Sequence, residues 1–149
     1  MRLWRISDFA NLSGDGGLLE SGRWHSLGRR VVYLSDHPAS ALLEIIVHLE
    51  VHPDDIPDSF QLLTVEVSDD VVFDRVEDGD LSADWRSTPS ETQGHGGRWL
   101  SVSRTALLRV PSAIVPFAWN WLLNPDHHDM DKVGIADVRR VTFDPRLLD

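Results

Sequence analysis

The stretch VVYLSDHPASALLEIIVHLE, residues 31–50, predicts the strand and the helix around which the rest of the chain is arranged. Its first five residues are mostly β-branched, aromatic or aliphatic, which is typical of a buried strand. Ser35-Asp36-His37-Pro38 combines side chains that cap helices with a proline that a first helical turn tolerates. A helix is therefore expected from there to about residue 49 or 50, where His52-Pro53 ends it.

A single carboxylate interrupts the apolar part of this predicted helix. An apolar stripe typical of a core-facing helix is formed by Leu42, Leu43, Ile46, Val47 and Leu49. Glu44 lies on the edge of that stripe, so we expect it to be only partly buried. A charged group in this place calls for either a structural or a chemical explanation.

The remaining segments predict a sheet with few helices. Strands are expected at residues 3–6, 60–67, 71–73, 106–110, 113–117 and 138–143. A second helix is expected at 92–104, although its three glycines weaken it, and loops are expected at 11–22 and 124–129. This pattern predicts one α+β domain over residues 1–149, with a short-stranded β core and flanking helices.

Composition narrows the class of protein. The 149 residues are 42% hydrophobic and 26% charged, as in a soluble globular domain, and carry a formal net charge of −10. Because nucleic-acid binding relies on basic side chains, direct binding of DNA or RNA is not expected. The chain has no cysteine, no long apolar run and no signal peptide pattern, so we expect a cytoplasmic protein without membrane association.

Several common kinds of site find little support. His127-His128-Asp129 and Asp131 offer metal ligands, but neighbouring residues rarely point at one ion, and no metal is predicted. Ser112 lacks the turn that exposes a hydrolase nucleophile. A pair of carboxylates for glycoside hydrolysis is not marked out among the acidic residues.

A cluster at the predicted strand–helix junction has more chemical content. Tyr33 and Glu44 belong to consecutive elements and can line one cleft, with Arg23 across a tight turn and Arg5 nearby if the first strand pairs there. Arginine, tyrosine and glutamate together could bind a nucleotide that carries a positively charged leaving group. From the spacing of these residues alone, a structural interpretation is favoured, with Tyr33 in a core, Arg23 in a surface pair and Glu44 as a helix-edge charge.

The order of motifs resembles that of RES-domain proteins, the toxins of Xre–RES bacterial toxin–antitoxin systems. The similarity spans nearly the whole chain and includes Leu3-Trp4-Arg5, Gly22-Arg23-Trp24, Val32-Tyr33, Ala41-Leu42-Leu43-Glu44, Val110-Pro111-Ser112-Ala113, Asn124-Pro125 and Phe143-Asp144-Pro145-Arg146. The Arg, Glu and Ser that give the family its name match Arg23, Glu44 and Ser112.

The resemblance implies a fold like that of ADP-ribosyltransferase toxins, with NAD⁺ as a substrate and no cofactor. It implies a type II toxin that degrades NAD⁺ by hydrolysis or phosphorolysis of its bond to nicotinamide. Glu44 would stabilise the positive charge on the ribose, Tyr33 would stack on nicotinamide, and Arg5 and Arg23 would hold the pyrophosphate. Ser112 would contact the ribose or a neighbouring side chain of the site.

The resemblance also implies a partner and leaves alternatives. The partner is a cognate Xre-type antitoxin with a helix-turn-helix domain, which covers the active site; whether the chain forms a homodimer stays open. Transfer of ADP-ribose to a protein, a non-catalytic domain that binds a nucleotide or the antitoxin, and a ribonuclease are the competing functions. His25 departs from the asparagine expected after Arg-Trp and places a titratable group near the cleft.

Overall fold

Seven strands form one mixed sheet in the computed structural model, which describes residues 1–48 and 56–147. The strands are β1 (Arg2–Ile6), β2 (Val32–Ser35), β3 (Ser59–Val67), β4 (Phe73–Arg75), β5 (Leu107–Pro111), β6 (Trp119–Leu123) and β7 (Val133–Thr142). Three α-helices accompany them: α1 (Gly16–Leu19), α2 (Pro38–His48) and α3 (Pro89–Val102). Short 3₁₀ helices lie at Asp78–Asp80, Trp85–Ser87, His128–Lys132 and Pro145–Leu147.

The strand order across the sheet is β4-β5-β6-β2-β1-β3-β7. Neighbouring strands are antiparallel except β4 and β5, which are parallel. The two central strands, β1 and β2, are paired through Trp4 and Ser35 alone over their described lengths. The sheet is therefore loosely joined at its centre, and this is where a large cavity lies.

Two hydrophobic cores cover opposite faces of the sheet, because successive residues of a strand point to opposite sides. Val32 and Leu34 of β2 belong to one core, while Tyr33 packs against the other, which also contains Val31, the residue before the strand. The second core contains three tryptophans, Trp24, Trp85 and Trp99. Helix α3 supplies Trp99 and thus closes the second face of the sheet.

Most of the predicted elements are present. The predicted strands at 3–6, 31–35, 60–67 and 106–110 correspond to β1, β2, β3 and β5, and the helix at 92–104 corresponds to α3. The α+β fold is confirmed. Helix α2 begins at Pro38, where the backbone N–H of Ala39 donates to Nδ1 of His37. It is described as far as His48, and the predicted end near His52-Pro53 lies outside the described residues.

The predicted strand at 113–117 is wrong. Those residues form the loop between β5 and β6, and the strand begins only at Trp119. The hydroxyl of Ser112 accepts hydrogen bonds from the backbone N–H groups of Ile114 and Val115, so the chain turns directly after Ser112. Phe117 then takes a left-handed backbone conformation, with φ of 67°, that no strand residue adopts.

Smaller differences concern element limits. The loop predicted at 11–22 contains the one-turn helix α1, the strand predicted at 71–73 lies at Phe73–Arg75, and β7 begins five residues before the predicted 138. The described part of the predicted apolar stripe is less buried than expected: Leu42, Leu43 and Ile46 are partly buried and Val47 is 52% exposed, while Leu49 lies outside the described residues. No helix within the described ranges has the length and hydrophobicity needed to cross a membrane.

Candidate functional site

A cavity of about 480 Å³ lies beside the junction of β1 and β2 and reaches α2. Its wall includes four residues predicted from sequence: Arg5, Arg23, Tyr33 and Glu44. The volume is that of a small-molecule site. Ser112 is not part of the wall, but its hydroxyl contacts Glu44. The fold therefore brings all five sequence-predicted residues to one place.

Two donors hold one oxygen of the Glu44 carboxylate. Ser112 Oγ donates to Oε1 over 3.1 Å, and Nδ2 of Asn120 donates to the same oxygen over 2.7 Å. Oε2 has no hydrogen-bond partner among residues 1–48 and 56–147. Glu44 is half-buried, as expected, so its carboxylate is oriented by the protein on one side and free on the other.

Ser112 links the glutamate to the loop after β5. Its side chain is buried, and its oxygen accepts from two backbone N–H groups while its proton goes to Glu44. A hydroxyl has one proton and two lone pairs, so this geometry uses its full capacity. Its proton is thus directed at Glu44 by the backbone of the loop.

Asn120 is a site residue that sequence reasoning missed. It lies in β6 and lines the cavity, opposite Ser35 of β2 in the sheet. Its Oδ1 accepts a long hydrogen bond, 3.4 Å, from the Ser35 hydroxyl, which leaves Nδ2 to face Glu44. The available signal was an amide within the otherwise apolar run Trp119–Leu123, the same kind of signal that drew attention to Glu44.

Tyr33 presents its ring to the cavity and its hydroxyl to a hydrogen-bond network. The backbone N–H of Trp24 donates to the hydroxyl oxygen over 3.1 Å, and Nδ1 of His25 lies 2.7 Å from it. Burial raises the pKa of Tyr33 far above its ordinary value of 10.0. The hydroxyl therefore stays protonated at physiological pH.

Arg5 brings an unpaired buried donor to the cavity wall. Its Nη1 is shielded from solvent and has no hydrogen-bond partner in the described part of the chain. Burial lowers the pKa of Arg5 from its ordinary value of 12.5. Because an unpaired buried guanidinium is costly, this group is suited to an anion that enters the cavity.

Arg23 is held at the rim of the cavity by the segment before α3. Its Nη1 donates to the backbone oxygen of Arg86 over 3.1 Å, and its guanidinium lies 5.9 Å from the ring centre of Trp85. One donor is thereby used by the protein. The other donors of the guanidinium form no hydrogen bond within residues 1–48 and 56–147, so they are available to a second anionic group.

Comparison with protein-family models decides what kind of chain this is. Residues 2–144 match the model described as "RES domain". The chain belongs to the RES domain family. The family predicted from sequence is thus confirmed, and the chain is a RES-domain toxin.

The sequences of curated relatives are similar to this chain over nearly their whole length. The RES chain is 44% identical over 147 residues to "Toxin Res" of Pseudomonas putida, covering 99% of both chains. It is 36% identical over 155 residues to "Prs ADP-ribosylating toxin" of a Sphingobium species, covering 97% of this chain and 95% of that one. Its fold is similar to a chain in the crystal structure of the M. tuberculosis MbcT–MbcA toxin–antitoxin complex, with a TM-score of 0.66 at 17% identity, over 98% of this chain and 85% of that chain.

One further cluster in the RES chain has the composition of a metal site. The ligand atoms of His127, His128 and Asp129 lie within 4.8 Å of one another. However, Nδ1 of His127 accepts from the backbone N–H of Asp129 over 3.0 Å, so its one lone pair in the neutral ring is used. Asp129 itself pairs with Lys132. This bonding indicates a cap for the following 3₁₀ helix rather than a metal site.

Proposed function

We propose that this RES toxin cleaves the bond between nicotinamide and ribose in NAD⁺, with water or phosphate as the acceptor. The observation that carries the proposal is the Glu44 carboxylate, held through one oxygen by Ser112 and Asn120 on a cavity wall shared with Tyr33. This arrangement leaves Oε2 available to a substrate. The proposal includes action in the cytoplasm, where NAD⁺ is abundant.

Glu44 would stabilise the charge that develops as the bond breaks. The electron pair of the C1′–N bond leaves with nicotinamide, which becomes neutral, while positive charge grows on the ribose. A carboxylate whose hydrogen bonds are already formed can stabilise this charge without reorganisation. An oxygen of water or phosphate then bonds to C1′; a water molecule that adds gives up its proton to solvent.

The two arginines would bind the negatively charged centre of NAD⁺. Arg5 offers an unpaired buried Nη1 and Arg23 a partly free fork at the rim, so two phosphates could be engaged at once. Tyr33 would stack on the flat nicotinamide ring and orient it. These contacts would place the scissile bond beside Glu44.

An antitoxin is the partner that we propose for the chain. The matched fold was solved as a toxin–antitoxin complex, and the family resemblance implies an Xre-type antitoxin that covers the site. The net charge of −10 fits a division of labour in which the antitoxin, not the toxin, binds DNA.

Transfer of ADP-ribose to a protein is the second candidate. The relative named "Prs ADP-ribosylating toxin" is aligned over 97% of this chain, which is the observation in its favour. The same cleavage at C1′ would serve, with a protein side chain as acceptor. The two candidates differ only in what attacks the ribose.

Nicotinamide release from NAD⁺ by the purified chain, with and without phosphate, tests the proposal. We expect Glu44→Gln to lower the rate by about 100-fold or more. Glu66→Gln is the matched control, since Glu66 of β3 is an exposed glutamate that forms an ion pair with Arg2 of β1. A folded Glu44→Gln protein with full activity would contradict the proposal. Release that requires a protein acceptor, detected by mass spectrometry of the modified protein, would favour the second candidate.

A further inference from the structure

His25 is enclosed and hydrogen bonded through both ring nitrogens. It is 4% exposed, with Nε2 2.9 Å from the backbone oxygen of Glu20 and Nδ1 2.7 Å from the hydroxyl of Tyr33. A carbonyl oxygen only accepts, so Nε2 carries the proton. In the neutral ring, Nδ1 must then accept from the Tyr33 O–H. The Trp24 N–H fills the other side of that hydroxyl.

Two glycines lie directly beside the hydrogen bonds of His25 and Tyr33. A Cβ atom on Gly22 would lie 2.5 Å from the Tyr33 hydroxyl oxygen, and one on Gly17 would lie 3.2 Å from Nε2 of His25. Neither position has room for a side chain. The hydroxyl of Tyr33 is therefore held by Trp24 and His25 in a space that the missing side chain of Gly22 leaves open.

We propose that His25 is a positioning residue, which as a neutral Nε2–H imidazole fixes the hydroxyl, and hence the ring, of Tyr33 in the cavity wall. This inference rests on the proposed function, in which the Tyr33 ring orients nicotinamide. Protonation of Nδ1 would turn it from an acceptor into a donor, so that the Tyr33 oxygen would accept from both Nδ1 and Trp24. The Tyr33 O–H would then lose its acceptor.

The surroundings of His25 favour the neutral ring. Helix α1 contributes the backbone of Gly17, the following turn contributes the carbonyl of Glu20 and the charged side chain of Arg23, and β2 contributes Tyr33. Glu44 of α2 lines the same cavity. Burial lowers the pKa of His25 below its ordinary 6.5 and outweighs the two backbone contacts, which raise it. His25 therefore becomes protonated only in acid.

Two substitutions separate the two hydrogen bonds of His25. In His25→Asn, the amide oxygen can replace Nδ1 and keep the Tyr33 bond; in His25→Gln, the longer amide reaches the position of Nε2 and keeps the Glu20 bond. Steady-state kinetics of nicotinamide release across pH, with the melting temperature of each full-length variant, form the experiment. We expect His25→Gln to lower kcat by about 10-fold to 100-fold. We expect His25→Asn to keep most of kcat and to lose the acid limb of the profile.

Other outcomes would overturn the inference. If His25→Gln keeps wild-type kcat, or if both variants lose activity only in proportion to their melting temperatures, His25 does not position Tyr33. Long-range ¹H–¹⁵N NMR of the wild-type ring, assigned by its loss in His25→Asn, reads the tautomer independently of activity. A protonated Nδ1 at neutral pH would overturn the inference. An active Glu44→Gln protein would instead count against the proposed function, and the tautomer would still decide the role of His25.

Discussion

Nδ2 of Asn120 donates a 2.7 Å hydrogen bond to Oε1 of Glu44, so a strand in the middle of the sheet holds the charged residue of α2. The donor comes from β6 and the acceptor from a helix 76 residues earlier in the chain. Glu44 is thus tied to the sheet through one oxygen, while the residue lines the cavity and its other oxygen has no hydrogen-bond partner among the described residues.

Replacing the Asn120 amide by a carboxyl group should make kcat fall as pH rises. In Asn120→Asp, two carboxyl groups meet at hydrogen-bond distance and share a proton at lower pH, which preserves a donor to Glu44. As pH rises, both ionise and repel each other. We expect kcat for nicotinamide release to fall by about tenfold or more relative to wild type on the alkaline side, and to recover partly in acid. Asn11→Asp, at an exposed site, is the control. A ratio of kcat between Asn120→Asp and wild type that does not change with pH would contradict this account.

Arg5 should contribute to binding at a cost to stability. Because its Nη1 is buried without a partner in the described chain, Arg5→Met should leave the free energy of unfolding unchanged or raise it by about 1 kcal/mol. The loss of a charged hydrogen bond to substrate should raise the KM for NAD⁺ by about 10-fold to 100-fold. Arg2→Met, in the same strand but exposed, should change neither quantity appreciably. Denaturant titration and kinetics measure both effects, and a strongly destabilised Arg5→Met protein would argue for a structural role instead.

What the sequence predicts well depends on how local the signal is. Tyr33 and Glu44 lie in a strand and a helix that follow each other directly, and the β-branched run and the helix start are visible within a few residues. The role of Asn120 depends on β6 pairing with β2, more than 80 positions away, and no local pattern contains that pairing. Likewise, the apolar run 113–117 has strand composition, but the Ser112 hydroxyl bends it.

The glycines of α3 illustrate a signal whose meaning became clear only in three dimensions. They weaken the helix prediction because glycine has low helix propensity. Gly96, however, is buried where the helix meets the turn that carries Trp24, and a Cβ there would overlap the Trp24 backbone oxygen. Gly96 is thus required by the packing of the helix against that turn.

Adjacent glycines of α3 should therefore respond oppositely to alanine. Gly96→Ala should destabilise the protein by about 1–3 kcal/mol, because the new methyl group displaces the turn that supports Trp24. Gly97→Ala meets no atom within 4 Å and should raise the free energy of unfolding by up to about 1 kcal/mol through helix propensity. Chemical denaturation of the two variants measures the difference. Equal effects would show that α3 does not pack as described.

Phe117 should be replaceable by glycine without loss of stability. Its ring is 97% exposed, and its φ of 67° is unfavourable for any residue with a Cβ. Phe117→Gly should either leave the free energy of unfolding unchanged or raise it by up to about 1 kcal/mol. Phe9→Gly is the control: Phe9 is 70% exposed without a positive φ, so greater freedom of the unfolded chain should lower its stability. Thermal unfolding compares them, and a lower melting temperature for Phe117→Gly than for Phe9→Gly would refute the argument.

The pair formed by His25 and Tyr33 should limit stability at both ends of the pH range. Burial lowers the pKa of His25 and raises that of Tyr33, so the folded state favours the uncharged form of each. Below about pH 6.5 the unfolded histidine binds a proton that the folded one does not, and stability falls as pH decreases towards the folded pKa. Above about pH 10 the unfolded tyrosine loses a proton that the folded one retains, and stability falls as pH increases. The free energy of unfolding, measured by denaturant across pH, should therefore lose part of its acid slope in His25→Asn while its alkaline slope persists. Identical acid slopes in the two proteins would mean that His25 is not held neutral by the fold.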